Sequence, residues 1–483
     1  MTLTWHVNID WTTAGTYDSR DDAINLVGYR VIRGRTQYLA SSGDGFEKMQ
    51  PGYCSIILDN SSGDYDPYNT AGALYPHVAP GKYIKIQVDN GTEIKPRFAG
   101  RIESIEPIGG VQNPQVIITA YDGLKQLKDT NINTGLFTDI RTGGAIDEIL
   151  STAAQWPAIW STSLESGADI IPYWWESDVS AFEAIDRLVQ SEFGGYAVLS
   201  DGTFRFKARG LSSAPVAILD QSDMLKDIQI PMPYNIVRNC TKVFVYPKKI
   251  HSSADLWTLQ DTPNVPGNGS LTLWGDYQYD NRRVGGTNMI SPVATTDYVM
   301  NTAANGTGTN LTSNFTVTAT YFAETVKNVI QSGTSANGYV TLLKNRGQAV
   351  DAKEKSFVLS DSSGTDLQRI FIIDSPWIQS SNKADLYSKY LTSILSQVNK
   401  FPRFQLESQP DSQFTPDLLD RIGVTIDKYS INSSFRVGGI EEEWLGDNGQ
   451  AVRTTIYTEP FIVQSAEDGY WYFTATFPMK FPY

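Results

Sequence analysis

The sequence predicts a mainly β, multidomain protein with one α+β element, and three observations predict it. Apolar residues alternate with polar ones along strand-length stretches near both ends of the chain. Turn dipeptides such as Asn90-Gly91, Gly109-Gly110 and Asp201-Gly202 punctuate the sequence. The composition, 12% aromatic with 25 Tyr and 39 Gly, suits strands and tight turns better than a helical bundle. At 483 residues the chain exceeds the ~250 to 300 at which a single core stops growing, so about three or four domains are expected.

Each element follows from its period. Between residues 26 and 122, Cys54, Ile56 and Leu58 share one face and Ile84, Ile86 and Val88 another, with Lys85 and Gln87 turned away, which predicts a small barrel or sandwich. Ile146, Ile149, Leu150, Ala153 and Ala154 then recur at helical spacing until Trp156-Pro157 stops them. A second helix is marked by the capping-box spacing of Ser180 and Glu183, the stripe Ala181, Ala184, Ile185, Leu188 and Val189, and a C-terminal stop at Gly194. With the hairpin about Asp201-Gly202 it predicts a compact α+β unit over 129–212. A strand is expected over 236–246, followed by a polar, β-rich insertion to about residue 370, with strands over 315–322 and 338–343 and an exposed flexible loop over 302–314. Ala384, Tyr387, Leu391, Ile394, Leu395 and Val398 line one side of a further helix before strand signals return up to Tyr457.

No arrangement of residues along the chain points to catalytic or metal chemistry. A net charge of -14 argues against tight phosphate binding over the surface. Cys54 and Cys240 each stand alone in a strand-like segment and read as small buried hydrophobes. His6, His77 and His251 are scattered, show no HExxH spacing, and no serine sits in GxSxG, so neither a zinc site nor a nucleophilic triad is expected. Glu103 with Glu106, or Glu441-Glu442-Glu443, could be nominated as a glycosidase pair, but such charges in strands beside turns read as solvated faces or interface contacts. The oxygen-rich loop from Asp59 to Asp66 lacks EF-hand spacing and reads as Asx-turn chemistry, and Gly306-Thr307-Gly308 lacks the strand and helix of a phosphate cradle. Residues 1 to 10 carry neither a basic n-region nor an apolar run, and no stretch of ~20 apolar residues occurs, so neither a secretory signal nor a membrane helix is expected.

A faint internal repeat is the most informative feature. Phe98-Ala99-Gly100-Arg101-Ile102-Glu103 is answered by Phe435-Arg436-Val437-Gly438-Gly439-Ile440-Glu441. An alternating strand precedes each copy and another follows a glycine-containing turn, so two barrels of one design on one chain are expected.

The run Gly52-Tyr53-Cys54-Ser55-Ile56-Ile57-Leu58-Asp59-Asn60, then Gly63, Asp66-Pro67, Asn69, Pro80-Gly81, Phe98-Ala99-Gly100 and Ala120-Tyr121-Asp122, resembles phage minor tail proteins of the tail-hub family, itself similar to the baseplate hub of contractile phages. The helix from Ser180 running into the Asp201-Gly202 hairpin and the closing run Asp417-Leu418-Leu419-Asp420-Arg421-Ile422-Gly423-Val424 extend the resemblance, which covers most of 26–250 and 370–460 but not the insertion. It implies two related tube-like β-barrels, one over 1–128 and a discontinuous one over 213–250 and 371–465, with the α+β domain over 129–212, the insertion over 251–370 and an aromatic tail over 466–483. It further implies a homotrimer whose six similar units meet a sixfold tail tube or distal tail protein on one side and a tip, fibre or spike protein on the other. DNA would pass through the channel without specific binding, an acidic wall giving phosphate nowhere to stall. No enzyme activity, cofactor, metal or membrane insertion is implied, and the expected location is the virion tail tip after assembly in the host cytoplasm.

Two surfaces are candidates for contact. The aromatic end, Tyr470, Trp471, Tyr472, Phe473, Phe477, Phe481 and Tyr483, reads as a final strand on its own domain or as a dock for a neighbouring tail protein. In the insertion, Trp257, Trp274 and Tyr277 are candidates for recognising a cell-surface glycan or receptor, which is the alternative function; a cell-wall hydrolase is the third.

Overall fold

The computed structural model describes residues 2–460 apart from 13–14, 36–42, 44, 111–112, 210–213, 225–227, 233, 397–399, 408–409 and 446–449. Its largest sheet holds eleven strands, numbered here in chain order: β1 Thr4–Ile9, β2 Leu26–Gly34, β3 Tyr53–Asp59, β4 Tyr83–Asp89, β5 Ile94–Ile108, β6 Gln115–Tyr121, β7 Ala217–Asp220, β8 Arg403–Glu407, β9 Arg421–Ile426, β10 Ile431–Trp444 and β11 Val452–Pro460. The spatial order runs β1-β4-β5-β6-β3-β2-β10-β9-β7, and β11 joins β10 to β8.

The first six strands alternate as expected: β3, β4 and β6 each bury every second residue. Their inward side chains, among them Val7, Cys54, Ile56, Ile84, Ile86, Phe98, Val116 and Ile118, form one core, so the sheet curls around a single interior. The Asp59 to Asp66 loop is held by turn chemistry, since the Asp59 carboxylate accepts from the Ser61 amide (2.9 Å) and the Asn60 side-chain oxygen from the Tyr65 amide (3.0 Å).

The remaining five strands repeat this plan in the same chain order. The path β1-β4-β5-β6-β3 is answered by β7-β9-β10-β11-β8, with β1, β3, β4, β5 and β6 corresponding to β7, β8, β9, β10 and β11. Register agrees at the echoing residues: Ile102 faces Ala120 across β5 and β6, Arg101 faces Tyr121, and in β10 and β11 Ile440 faces Ile456 and Gly439 faces Tyr457. One difference is that β1 runs antiparallel to β4 whereas β7 runs parallel to β9.

Between the two halves lies the α+β unit, with α1 Gly123–Asp129, α2 Thr142–Glu148 running into a π turn over Ile149–Ala153, and α3 Ala181–Glu192. Helix α3 starts where the Ser180 hydroxyl accepts from the Glu183 amide (3.2 Å), but the reciprocal half of the capping box is not made, because the Glu183 carboxylate pairs with Lys48 (2.5 Å). Its left-handed terminal residue is Phe193 (φ 62°), not the expected Gly194. Gly194 serves close packing instead, since a Cβ there would lie 2.6 Å from the Lys207 carbonyl oxygen. The α3 stripe shares one core with Leu219, Phe404, Ile422, Val424 and Ile440 of the second half.

The strand expected over 236–246 is shorter, Cys240–Val245, and joins neither curled half. It sits between Ser356–Asp361 and Ile370–Ile373 in its own sheet, covered by α4 Ser381–Leu395 through Val243, Phe371, Tyr387 and Leu391. The insertion proper is a two-layer β structure. The long strand Gly338–Ala352 gathers four partners in one layer, and Ser270–Asp276, Thr325–Ser332 and Phe315–Tyr321 make the other. Val265, Met300, Phe315, Ile330 and Val340 pack in its core, and the buried Asn328 and Asn345 exchange amide hydrogen bonds at 2.9 and 3.1 Å.

Candidate functional site

The feature that makes one object of the two halves is the seam between β2 and β10. Backbone pairing runs antiparallel from Arg30 opposite Glu443 to Gly34 opposite Gly439. The chains can approach there because glycine lines the crossing: a Cβ on Gly34 (φ +78°) would stand 2.4 Å from the Gly438 oxygen, and one on Gly439 would stand 2.2 Å from the Arg35 oxygen. Under the seam, Trp444 at the end of β10 packs on Trp5 (5.4 Å between ring centroids) and Tyr29 (6.4 Å) of the first half.

Four arginines of the first half each hold a carboxylate of the second. Arg30 pairs with Glu441 (2.8 Å), Arg33 with Asp417 (2.5 Å), Arg35 with Glu459 (2.6 Å), and Arg97 with Glu442, which also accepts from the Tyr29 hydroxyl (2.7 Å). Burial alone would raise the Asp417 and Glu459 carboxyls. Arg33 and the Ser200 hydrogen bonds nevertheless hold Asp417 down at about 2, and Arg35 with Arg436 keeps Glu459 below its ordinary value. The pairs of Arg33, Arg35 and Arg97 are buried, whereas Arg30 is exposed; buried pairs add little net stability but punish every arrangement that separates them, so the work of these three is to fix how one half sits on the other. The run Glu441-Glu442-Glu443 thus faces the seam with two of its three carboxylates: Glu442 is sealed against Arg97 and Glu441 reaches Arg30, whereas Glu443 pairs with Arg453 of its own half. Sequence reading named that acidic run but missed its partners. The signal was the matching basic stretch, Arg30, Arg33 and Arg35, in a strand that otherwise alternates.

The three aromatic candidates of the insertion do not form one surface. Tyr277 is fully buried beneath Gly286, and Trp257 lies half-buried with its ring over Gly275, so the expectation of exposure fails for both because each fills the insertion's own core. Only Trp274 is open, at 58% exposure, its ring stacked on Phe322 at 5.6 Å. It stands on a cleft of about 630 Å³ where the insertion meets the α+β unit. Inside, the Trp175 indole donates to Glu324 (2.9 Å), the Trp377 indole donates to Glu176 (3.1 Å), and Lys248 lies over the Trp175 ring (4.4 Å). Burial lifts Glu176 to about 7, against the pull of Arg187. The aromatic candidates from Tyr470 to Tyr483 lie outside the described residues.

Cys54 and Cys240 are buried and unbridged, and His6, His77 and His251 stay in separate places, His6 on Asp21 (2.7 Å) and His251 against Tyr279. Among the described residues no cluster of three or more His, Cys, Asp or Glu is placed to hold a metal ion, and no helix is long and apolar enough to cross a membrane.

No family model and no curated protein matches the sequence. Solved structures do match. A tail protein from Neisseria meningitidis superposes with a TM-score of 0.51 at 9% identity, over 94% of this chain and 96% of that one. The chain has the fold of that tail protein. Lower-scoring matches are the 43 kDa tail protein of prophage MuSo2 from Shewanella oneidensis (TM-score 0.49, 9% identity, 94% of this chain and 98% of that one) and the Escherichia coli c3393 protein, a type VI secretion component (0.39, 9%, 91% and 74%).

Proposed function

We propose that this chain is a non-enzymatic structural hub of a bacteriophage tail tip, three copies of which form a ring around the DNA path. The observation that carries the reading is the collinear repeat of the strand plan within one chain, locked by the β2–β10 seam. A chain with two like units gives a trimer six of them, which suits a sixfold tail tube or distal tail protein above and a threefold tip, fibre or spike below. We read the division as two barrels with the α+β unit and insertion outside the ring, and the excess of acidic side chains as a wall that does not retain DNA. Native mass spectrometry of purified protein tests this: a trimer is expected, and a monomer at every concentration used for tail assembly contradicts it.

A second reading, recognition of a host glycan, is favoured by one observation, the open Trp274–Phe322 stack at the mouth of a cleft with charged walls. Trp274→Ala should abolish any glycan-array signal of the full chain without changing its native mass, and a signal that survives the substitution removes this site from consideration.

A further inference from the structure

The two halves differ in one respect that the duplication makes visible. In the second half the far end of β10 is covered on the edge beyond β9 by β2, through residues 439–443. The corresponding end of β5, beyond its pairing with β4, meets no strand on that edge among the described residues after the bonds between Ile102 and residues 81–82. Glu103, Ser104 and Glu106 are exposed there, and Pro107, lacking an amide, bounds the stretch.

The donor has a counterpart too. Strand β2 falls between β1 and β3 in the chain and pairs with β3. In the second half the segment falling between β7 and β8, and pairing with β8, is 228–231: Gln229 and Arg403 exchange backbone bonds at 2.9 and 2.8 Å, and the Phe401 amide donates to the Pro231 carbonyl at 3.2 Å. Antiparallel geometry then turns the backbone groups of Ile228 and Ile230 to the other side, where no described residue meets them. Each chain therefore carries one donor and one acceptor joined internally, and a second donor and acceptor of the same topology that meet no strand among the described residues.

We propose that residues 103–106 of β5 accept residues 228–231 of a second copy of this chain, strand to strand, as β10 accepts β2 within the chain. The contact is heterologous, so it passes from copy to copy and closes a ring when the rotation between copies is threefold; it rests on the hub reading above and supplies its missing joint. Counted from the Ile102 and Ile440 pairs along the neighbouring strand, Glu106 stands where Glu443 does at the internal seam, while Glu103 falls at the register shift before Ser104.

The full chain with Glu106→Cys and Gln229→Cys, both exposed sites, treated with a short bismaleimide, should give covalent dimers and trimers on a denaturing gel, whereas each single substitution should stay monomeric. In the unmodified chain, amide hydrogen exchange over 103–106 should slow by about tenfold or more in the assembled form relative to diluted monomer. A native trimer that neither cross-links nor protects these amides overturns the pairing and leaves the hub reading standing. Cross-linking of the Glu106→Cys single variant to itself overturns it by showing a twofold contact. A chain that never assembles overturns both.

Discussion

Arg97 and Glu442 are both sealed from water, so separating them leaves a charge buried alone. Arg97→Met should cost about 3 to 5 kcal/mol in urea denaturation, and adding Glu442→Gln should restore part of the loss; an exposed-pair cost below about 1 kcal/mol would show that water reaches the seam. Glu192 behaves in the opposite sense to Asp417. Burial, reinforced by Asp169, raises its carboxyl to about 7, above its value in the unfolded chain, although it accepts from the Ala168 amide (2.9 Å). The unfolded chain then binds fewer protons, so this group's contribution is complete below its ordinary value and is lost as pH rises through about 7. Glu192→Gln should flatten the decline in stability between roughly pH 4.5 and 7, as measured by thermal unfolding across that range; an unchanged slope contradicts the assignment. At this scale the sequence read the two lone cysteines as small buried hydrophobes, and Cys54 and Cys240 are buried and unbridged. It hid the arginine–carboxylate pairs, whose members lie hundreds of positions apart.

Elements were legible where period and turn chemistry agreed. The alternation of β3 and β4, the Asp201-Gly202 hairpin and the α3 stripe all stand where their patterns put them. Termini were less so: Phe193 takes the left-handed turn because Gly194 is needed against Lys207, a tertiary demand that local spacing does not carry. Likewise Cys240–Val245 has the alternation of a barrel strand and yet pairs in a separate sheet, since partners are chosen by the fold of residues more than a hundred positions away. Two substitutions examine element-level claims. Ser180→Ala should remove about 1 kcal/mol through loss of the α3 cap, read from the denaturation midpoint. Gly439→Ala should cost about 1 to 3 kcal/mol and loosen β2 from β10, read as faster amide exchange over residues 30–34; unchanged exchange would mean the seam does not need the close approach.

For the molecule as a whole, the faint echo about Gly100 and Gly438-Gly439 stood for a repeat of strand order through both halves. Its weakness in sequence has a physical source. The first copy curls around a core of its own while the second shares its core with α3, and among the described residues one ends on an open edge and the other on a seam of glycine and paired charge, so the outward residues differ while the inward ones stay apolar. The insertion was legible only as β-rich, and the aromatic candidates within it were sorted into core and surface by packing that alternation cannot reveal. Chains that bring two similar units to a closed threefold ring should look nearly sixfold on the face those units build. Rotational analysis of top views of the purified assembly by electron microscopy measures this directly: a threefold particle with a strong sixfold component is the expected result, and a ring without it, or particles the size of one chain, would contradict the account.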